Sequence, residues 1–142
     1  MIALNEAAHM EGVLENIVPW AQEVFLVDSY SADATVDIAL KHGVYVAQRK
    51  FTGFGDQWNF AMQTLPIRAP WTMKLDPDER LADELKRAIE DAIRHDDADG
   101  LCVRRRLWFM GSPMPVRQEF YLFPLIGFFV SNPENYAQNP LF

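Results

Sequence analysis

Trp71-Thr72-Met73-Lys74-Leu75-Asp76-Pro77-Asp78 is an apolar run that ends in two carboxylates separated by a proline. The run, Trp71 to Leu75, reads as a strand ending at Asp76. Behind it, Leu81 to His95 has Leu81, Leu85, Ala88, Ile89 and Ala92 at helical spacing. Upstream the same alternation recurs. Ile2 to Leu4 reads as the end of a strand and Met10 to Trp20 as a helix with Val13, Leu14, Ile17 and Val18 on one face. Val24 to Val27 is a strand that ends at Asp28. Ser31 or Asp33 can cap a helix that runs to His42 and stops at Gly43. Val44 to Ala47 is the next strand, Gly53-Phe54-Gly55 a loop, and residues 56 to 65 a helix closed by Pro66. Strand and helix alternating at this spacing predict an α/β domain, a mostly parallel sheet covered by helices on both faces. In such sheets ligands bind beyond the carboxyl ends of the strands.

The 142 residues fit one compact domain, with 49% hydrophobic and 23% charged residues. A formal charge of −7 argues against nucleic acid as a partner. The lone cysteine, Cys102, lies in an apolar context, so a buried thiol and a reducing compartment are expected. Neither a secretory signal nor a membrane span is visible: the most apolar stretch, Phe120 to Val130, has 11 residues, against the ~20 a spanning helix needs. The expectation is a cytoplasmic protein, with peripheral contact to the inner membrane as an option. Leu101 to Phe109 and Val116 to Phe123 read as strands around a Gly-Ser-Pro turn. Composition shifts near residue 120: among the 23 residues from Phe120 to Phe142, Glu134 alone is charged. The expected organisation is a domain over 1–119 and an atypical apolar tail over 120–142, truncated or irregular.

Three predicted strands end in acidic or amide residues: the first in Asn5-Glu6, the second in Asp28, the fourth in Asp76-Pro77-Asp78. In a parallel sheet those ends share an edge. Carboxylates gathered there repel one another unless a cation or hydrogen-bond donors compensate. Hard oxygen ligands suit Mg2+ or Mn2+, which keep positions open for phosphate oxygens. In an extended segment Asp76 and Asp78 would face the same way, and Pro77 stiffens the pair. The competing structural reading makes Asp78 a cap for the helix that follows.

Four segments occur in order: Leu4-Asn5-Glu6-Ala7, Val27-Asp28-Ser29-Tyr30-Ser31-Ala32-Asp33-Ala34-Thr35, Gly53-Phe54-Gly55-Asp56-Gln57-Trp58-Asn59 and Leu75-Asp76-Pro77-Asp78-Glu79-Arg80. Together they resemble family 2 glycosyltransferases of the GT-A fold, within them the lipopolysaccharide-core β-1,4-glucosyltransferase-like branch. The resemblance covers roughly residues 1 to 119. It implies a GT-A-like sheet of the nucleotide-diphospho-sugar transferase type, incomplete at the C-terminus. It implies an inverting transferase that moves a sugar, glucose by analogy, from a donor such as UDP-glucose to a hydroxyl of a glycan or lipid-linked saccharide. Carried over, Asn5 and Glu6 would lie near the nucleoside, and Asp28 would accept hydrogen bonds from base or ribose. Gln57 and Asn59 would stand beside the donor. Asp76 and Asp78 would hold Mg2+ or Mn2+, Asp76 also touching the donor. Trp58 stands where many relatives have lysine, which removes a cation from that position.

The resemblance also implies further chain in relatives, with an acidic base on the acceptor side. Here Glu119 is the last acid before the tail and a weak candidate for the catalytic base; a surface carboxylate is the plainer reading. The alternative function is therefore a catalytically incomplete donor-binding fragment without turnover. An Asp-x-Asp phosphatase is disfavoured because the pair follows the fourth predicted strand rather than the first. Arg104-Arg105-Arg106 could meet phosphate or simply form a solvated edge. His9, His42 and His95 read as surface residues.

Overall fold

The computed structural model describes residues 1–95, 100–103, 106, 108–113 and 129–131. In chain order it has β1 (Ile2–Ala3), α1 (Ala7–Ile17), β2 (Phe25–Asp28), α2 (Thr35–Lys41), β3 (Tyr45–Gln48) and α3 (Phe54–Thr64). Then follow β4 (Thr72–Met73), α4 (Asp83–His95), β5 (Gly100–Cys102), β6 (Trp108–Phe109), β7 (Ser112–Pro113) and β8 (Phe129–Ser131). β1, β2 and β3 form a parallel sheet in that order, with Ala3 opposite Asp28 and Asp28 opposite Gln48. The α/β architecture expected from the strand-helix alternation is the one observed.

The continuous apolar strands follow from burial on both faces. Side chains alternate across a strand, so Leu26 and Val27 join different clusters. Leu26 packs with Met10, Val13, Leu14 and Ile17 of α1, Ala39 of α2, and Leu75 and Leu81. Val27 packs with Ile2 and with Ala61 of α3, flanked by Trp58, Phe60 and Leu65. Met10, Leu14 and Leu26 are fully buried, each contributing about 2–3 kcal/mol of apolar burial.

Several boundaries differ from expectation. α3 starts at Phe54, because Gly53 (φ 148°) makes the turn into it and leaves Gly55 inside the first turn. α2 takes Ala34 as its N-cap, while the Asp33 carboxylate accepts the Thr35 N–H at 3.0 Å. Gly43, with φ 74°, ends it as expected. α4 begins at Asp83, buries Ile89 and leaves Ala88 exposed.

A second sheet is antiparallel, with β8 between β4 and β5. β8 falls within the apolar 120–142 stretch, where the sequence predicted no strand beyond Phe123. β6 and β7 form a hairpin whose two turn residues, Met110 and Gly111, both have positive φ (48° and 75°). Positive φ at both positions matches the right-handed twist of paired strands. Val116 to Phe123, Arg104, Arg105 and Glu119 lie outside the described residues, as does the side chain of Cys102.

Candidate active site

The loops after β1 and β2 are locked together by their own polar side chains. Asn5, in the left-handed region at φ 57°, donates its N–H to Ser31 Oγ (2.8 Å) and accepts the Ala32 N–H on Oδ1 (2.8 Å). The Glu6 N–H donates to Thr35 Oγ1 and the Ala7 N–H to Asp33 Oδ2. The Asp33 carboxyl is held below its ordinary range, first by the Thr35 hydroxyl. Asp28 is fully buried and accepts from the Ser31 N–H (3.0 Å), the Ser31 hydroxyl and Gln48 Nε2 (2.9 Å). These bonds explain the density of Asp, Ser and Thr between residues 28 and 35: buried donors and acceptors need partners.

Asp76 and Asp78 do not lie in an extended segment. Pro77 and Asp78 form a turn, closed by the Glu79 N–H donating to Asp76 O at 3.0 Å. Proline sets the φ that the second position of such a turn requires. The Glu79 carboxylate accepts the Asp76 N–H at 2.8 Å, closing the turn from the other side. α4 begins five residues beyond Asp78, so Asp78 is not its cap.

Two clamps fasten this turn to α1. Arg80 Nη1 donates to Pro77 O and Glu79 O, and Nη2 donates to His9 O at 3.1 Å. Asn16 donates Nδ2 to Leu81 O (3.0 Å) and accepts the Leu81 N–H on Oδ1 (2.8 Å). Glu6 sits at the N-terminal end of the same helix, so the clamps set the distance between Glu6 and the aspartates.

The result is a cleft of about 470 Å³ beyond the carboxyl ends of the strands. Glu6, Asp76 and Asp78 line it together with Ser29, His9, Leu4, Phe51 and Phe54. Asn5, Asp28, Gln57 and Asn59 are not on its wall. Gln57 is fully buried between Arg49 and Ser29, and Asn59 is half-buried in α3. Phe51 and Phe54 meet edge to face at 5.1 Å, and Phe54 is 71% exposed.

Trp58 packs in the second cluster, with Lys74 Nζ 5.0 Å from its ring centroid. Burial pushes the Lys74 ammonium down from its ordinary range. Burial likewise pushes the Met1 α-amino group down to about 5, with Asp76 pulling it upward.

Among the described residues, no group of three or more His, Cys, Asp or Glu side chains is arranged to hold a metal. Asp76 and Asp78 offer two hard oxygen donors at the cleft. Such a pair fits Mg2+ or Mn2+, which take one or two carboxylates and fill the remaining positions with water and phosphate.

Sequence reasoning missed His9, Ser29, Phe51, Phe54 and Arg80 as parts of this site. Ser29 was signalled by its place directly after the strand-ending Asp28. Arg80 was signalled only as part of the Asp-Pro-Asp-Glu-Arg segment.

Comparison with known proteins places this architecture. S. aureus TarS, a crystal structure 16% identical in sequence, superposes with a TM-score of 0.75 over 99% of this chain and 48% of that one. The likeness shows a shared fold, which together with the family match that follows is of the GT-A type. The family model for glycosyl transferase family 2 matches residues 1–140, and the chain belongs to that family.

A protein of Rickettsia bellii described as an uncharacterized glycosyltransferase is 38% identical over 90 residues, 63% of this chain and 30% of the relative. The lipopolysaccharide core biosynthesis glycosyltransferase LpsC of Rhizobium meliloti is 28% identical over 127 residues, 83% of this chain and 46% of LpsC. This chain thus spans less than half the length of either relative. No helix among the described residues is long and apolar enough to cross a membrane.

Proposed function

We propose that this chain forms the donor-binding part of a glycosyltransferase that transfers a sugar from a nucleoside diphosphate to an acceptor hydroxyl with inversion. UDP-glucose is the donor the reading favours. The acceptor is a glycan or lipid-linked saccharide, with the lipopolysaccharide core suggested by the likeness to LpsC. The carrying observation is the convergence of Glu6, Asp76 and Asp78, distant in sequence, on one cleft at the strand ends.

Asp76 and Asp78 would hold Mg2+ or Mn2+. When bound, the ion supplies positive charge against the departing diphosphate. The chain's own part is positional. Arg80 and Asn16 set the aspartate turn against α1, and Asn5 and Asp28 brace the loops that carry Glu6 and Ser29. Leu4, Phe51 and Phe54 give the cleft apolar surface for a ring. In an inverting displacement the acceptor proton must pass to a base, and Glu119 is the candidate the sequence offers. The work would take place in the cytoplasm, at the inner face of the membrane that carries the acceptor.

Calorimetric titration of UDP into the protein with MnCl2 or MgCl2 tests the reading. Binding that depends on the cation and is lost in Asp76→Ala and Asp78→Ala is expected; no UDP binding with either metal would overturn it. A second reading is donor binding without turnover; measurable cation-dependent hydrolysis of UDP-glucose by the 142-residue chain would remove it.

A further inference from the structure

We infer that the β6–β7 hairpin docks on an anionic lipid surface, with Trp108 and Met110 entering the membrane interface and Arg106 meeting the headgroups. The inference deepens the acceptor half of the reading above, in which a lipid carries the saccharide, and it is tested apart from the donor half.

Met110 is 89% and Trp108 64% exposed, in a hairpin of two-residue strands. Neither belongs to the two apolar clusters that hold the domain together. Local structure does not ask for methionine either. Residue 110 has φ 48° and is the first of two left-handed turn residues, a place where asparagine or glycine is the unstrained choice. A large apolar side chain kept at such a solvent-facing turn is accounted for by what it touches outside the chain. Tryptophan suits the same contact, because its ring is apolar and its N–H finds a partner at headgroup level.

Charge selects the partner. The chain has a formal charge of −7, so an anionic surface repels it unless basic groups gather locally. They gather in this segment: from Gly100 to Gln118 there are four arginines and neither Asp nor Glu. Arg106, the last of three in a row, is exposed just before β6. An anionic bilayer takes up apolar tips and arginine together.

Topology sets the hairpin where docking is useful. β4 and β5 both run antiparallel to β8, so they point the same way. The chain leaves β4 for the Asp76–Asp78 turn and leaves β5 for the hairpin at the same edge of that sheet. A bilayer held by the hairpin lies at the cleft end of the molecule, where a lipid-borne hydroxyl is needed.

Cosedimentation of the 142-residue chain with vesicles tests this, comparing phosphatidylcholine containing phosphatidylglycerol with phosphatidylcholine alone. Binding to the mixed vesicles, weakened by salt, is expected. Trp108→Ala should weaken it about tenfold, and Arg106→Gln about fivefold. Met110→Asn suits the positive φ, so it should keep or raise the unfolding temperature while weakening vesicle binding severalfold. UDP affinity in MnCl2 is expected to be unchanged in all three.

No sedimentation with the mixed vesicles, or equal sedimentation with phosphatidylcholine alone, would overturn the inference. So would wild-type vesicle binding in Met110→Asn, which decides the matter alone should Trp108→Ala not fold. A concentration-dependent dimer that is lost in Met110→Asn, in a chain that ignores vesicles, would assign the hairpin to a second copy and overturn it as well. Vesicle binding without UDP binding would retire the donor reading and leave this inference standing. UDP binding without vesicle binding would retire this inference alone.

Discussion

A Cβ at residue 12 would stand 2.6 Å from Nη2 of Arg80. Helix α1 therefore admits the arginine beside it because residue 12 is glycine. Through that gap Arg80 reaches His9 O while holding Pro77 O and Glu79 O. One side chain thus fixes the aspartate turn against the helix that begins next to Glu6.

Gly12→Ala should separate stability from binding. Alanine in a helix interior gains about 0.5–1 kcal/mol over glycine, while the flexible end of Arg80 can swing away. The unfolding temperature is expected to change by only a few degrees, and cation-dependent UDP affinity to fall severalfold. Adding Arg80→Ala should produce little further loss, because both changes remove the same clamp. Calorimetry on the two single variants and the double variant checks this.

Asp76→Asn and Asp78→Asn should lose cation-stimulated UDP binding without losing the fold. Without a cation the two carboxylates share a cleft with Glu6, and removing one relieves like-charge repulsion. An unfolding temperature equal to or above wild type, measured in EDTA, is expected for both variants.

Asn16→Ala should destabilise the protein by about 2 kcal/mol, since two hydrogen bonds to Leu81 are lost together. Asn16→Asp keeps the acceptor for the Leu81 N–H but sets a carboxylate oxygen against Leu81 O. It is expected to be no more stable than the alanine variant. Urea unfolding of the three proteins gives the comparison.

Acid should loosen the interlocked loops. The Asp33 carboxyl is depressed by the Thr35 hydroxyl and by backbone N–H groups, Ala7 among them. A carboxyl whose folded pKa is below its unfolded value stabilises the protein above the unfolded value. That contribution disappears as pH falls through the folded one. Unfolding temperature is therefore expected to drop on acidification below the ordinary carboxylate range, and Asp33→Asn to flatten that limb while lowering the plateau at neutral pH. An unchanged slope in Asp33→Asn would show that the loss arises elsewhere, Glu23 beside Arg68 and Asp56 beside Thr52 also being depressed carboxyls.

Periodicity carried much of the fold. Leu26-Val27-Asp28 reads as a strand because both faces of the sheet are covered, and Val13, Leu14 and Ile17 read as a helix face because they recur at helical spacing. The antiparallel placement of β8 could not be read the same way. Its three residues sit at the end of the most apolar tract, and their pairing with β4 and β5 is a long-range event. The start of α3 was missed because glycines flanking Phe54 look like a loop until the φ of Gly53 is known. Glu6, Asp76 and Asp78 were legible as acidic strand ends, but not as ends of one sheet edge: β4 pairs with β8 in an antiparallel sheet separate from β1, β2 and β3, and the aspartates reach the cleft through the turn after it, as Ser29, Phe51 and Phe54 do through their loops.

By itself the sequence determined the alternation of strand and helix, the apolar faces and the acidic strand ends, because each is written in the order and spacing of neighbouring residues. Tertiary structure decided which polar groups are spent on each other. Asp28 serves Ser31 and Gln48, Gln57 lies between Arg49 and Ser29, and Glu6, Ser29, Asp76 and Asp78 face the open cleft. The physical reason is that a hydrogen-bond partner is chosen by distance and direction in space, and residues 28 apart in the chain, such as Ser29 and Gln57, carry no local pattern that announces it.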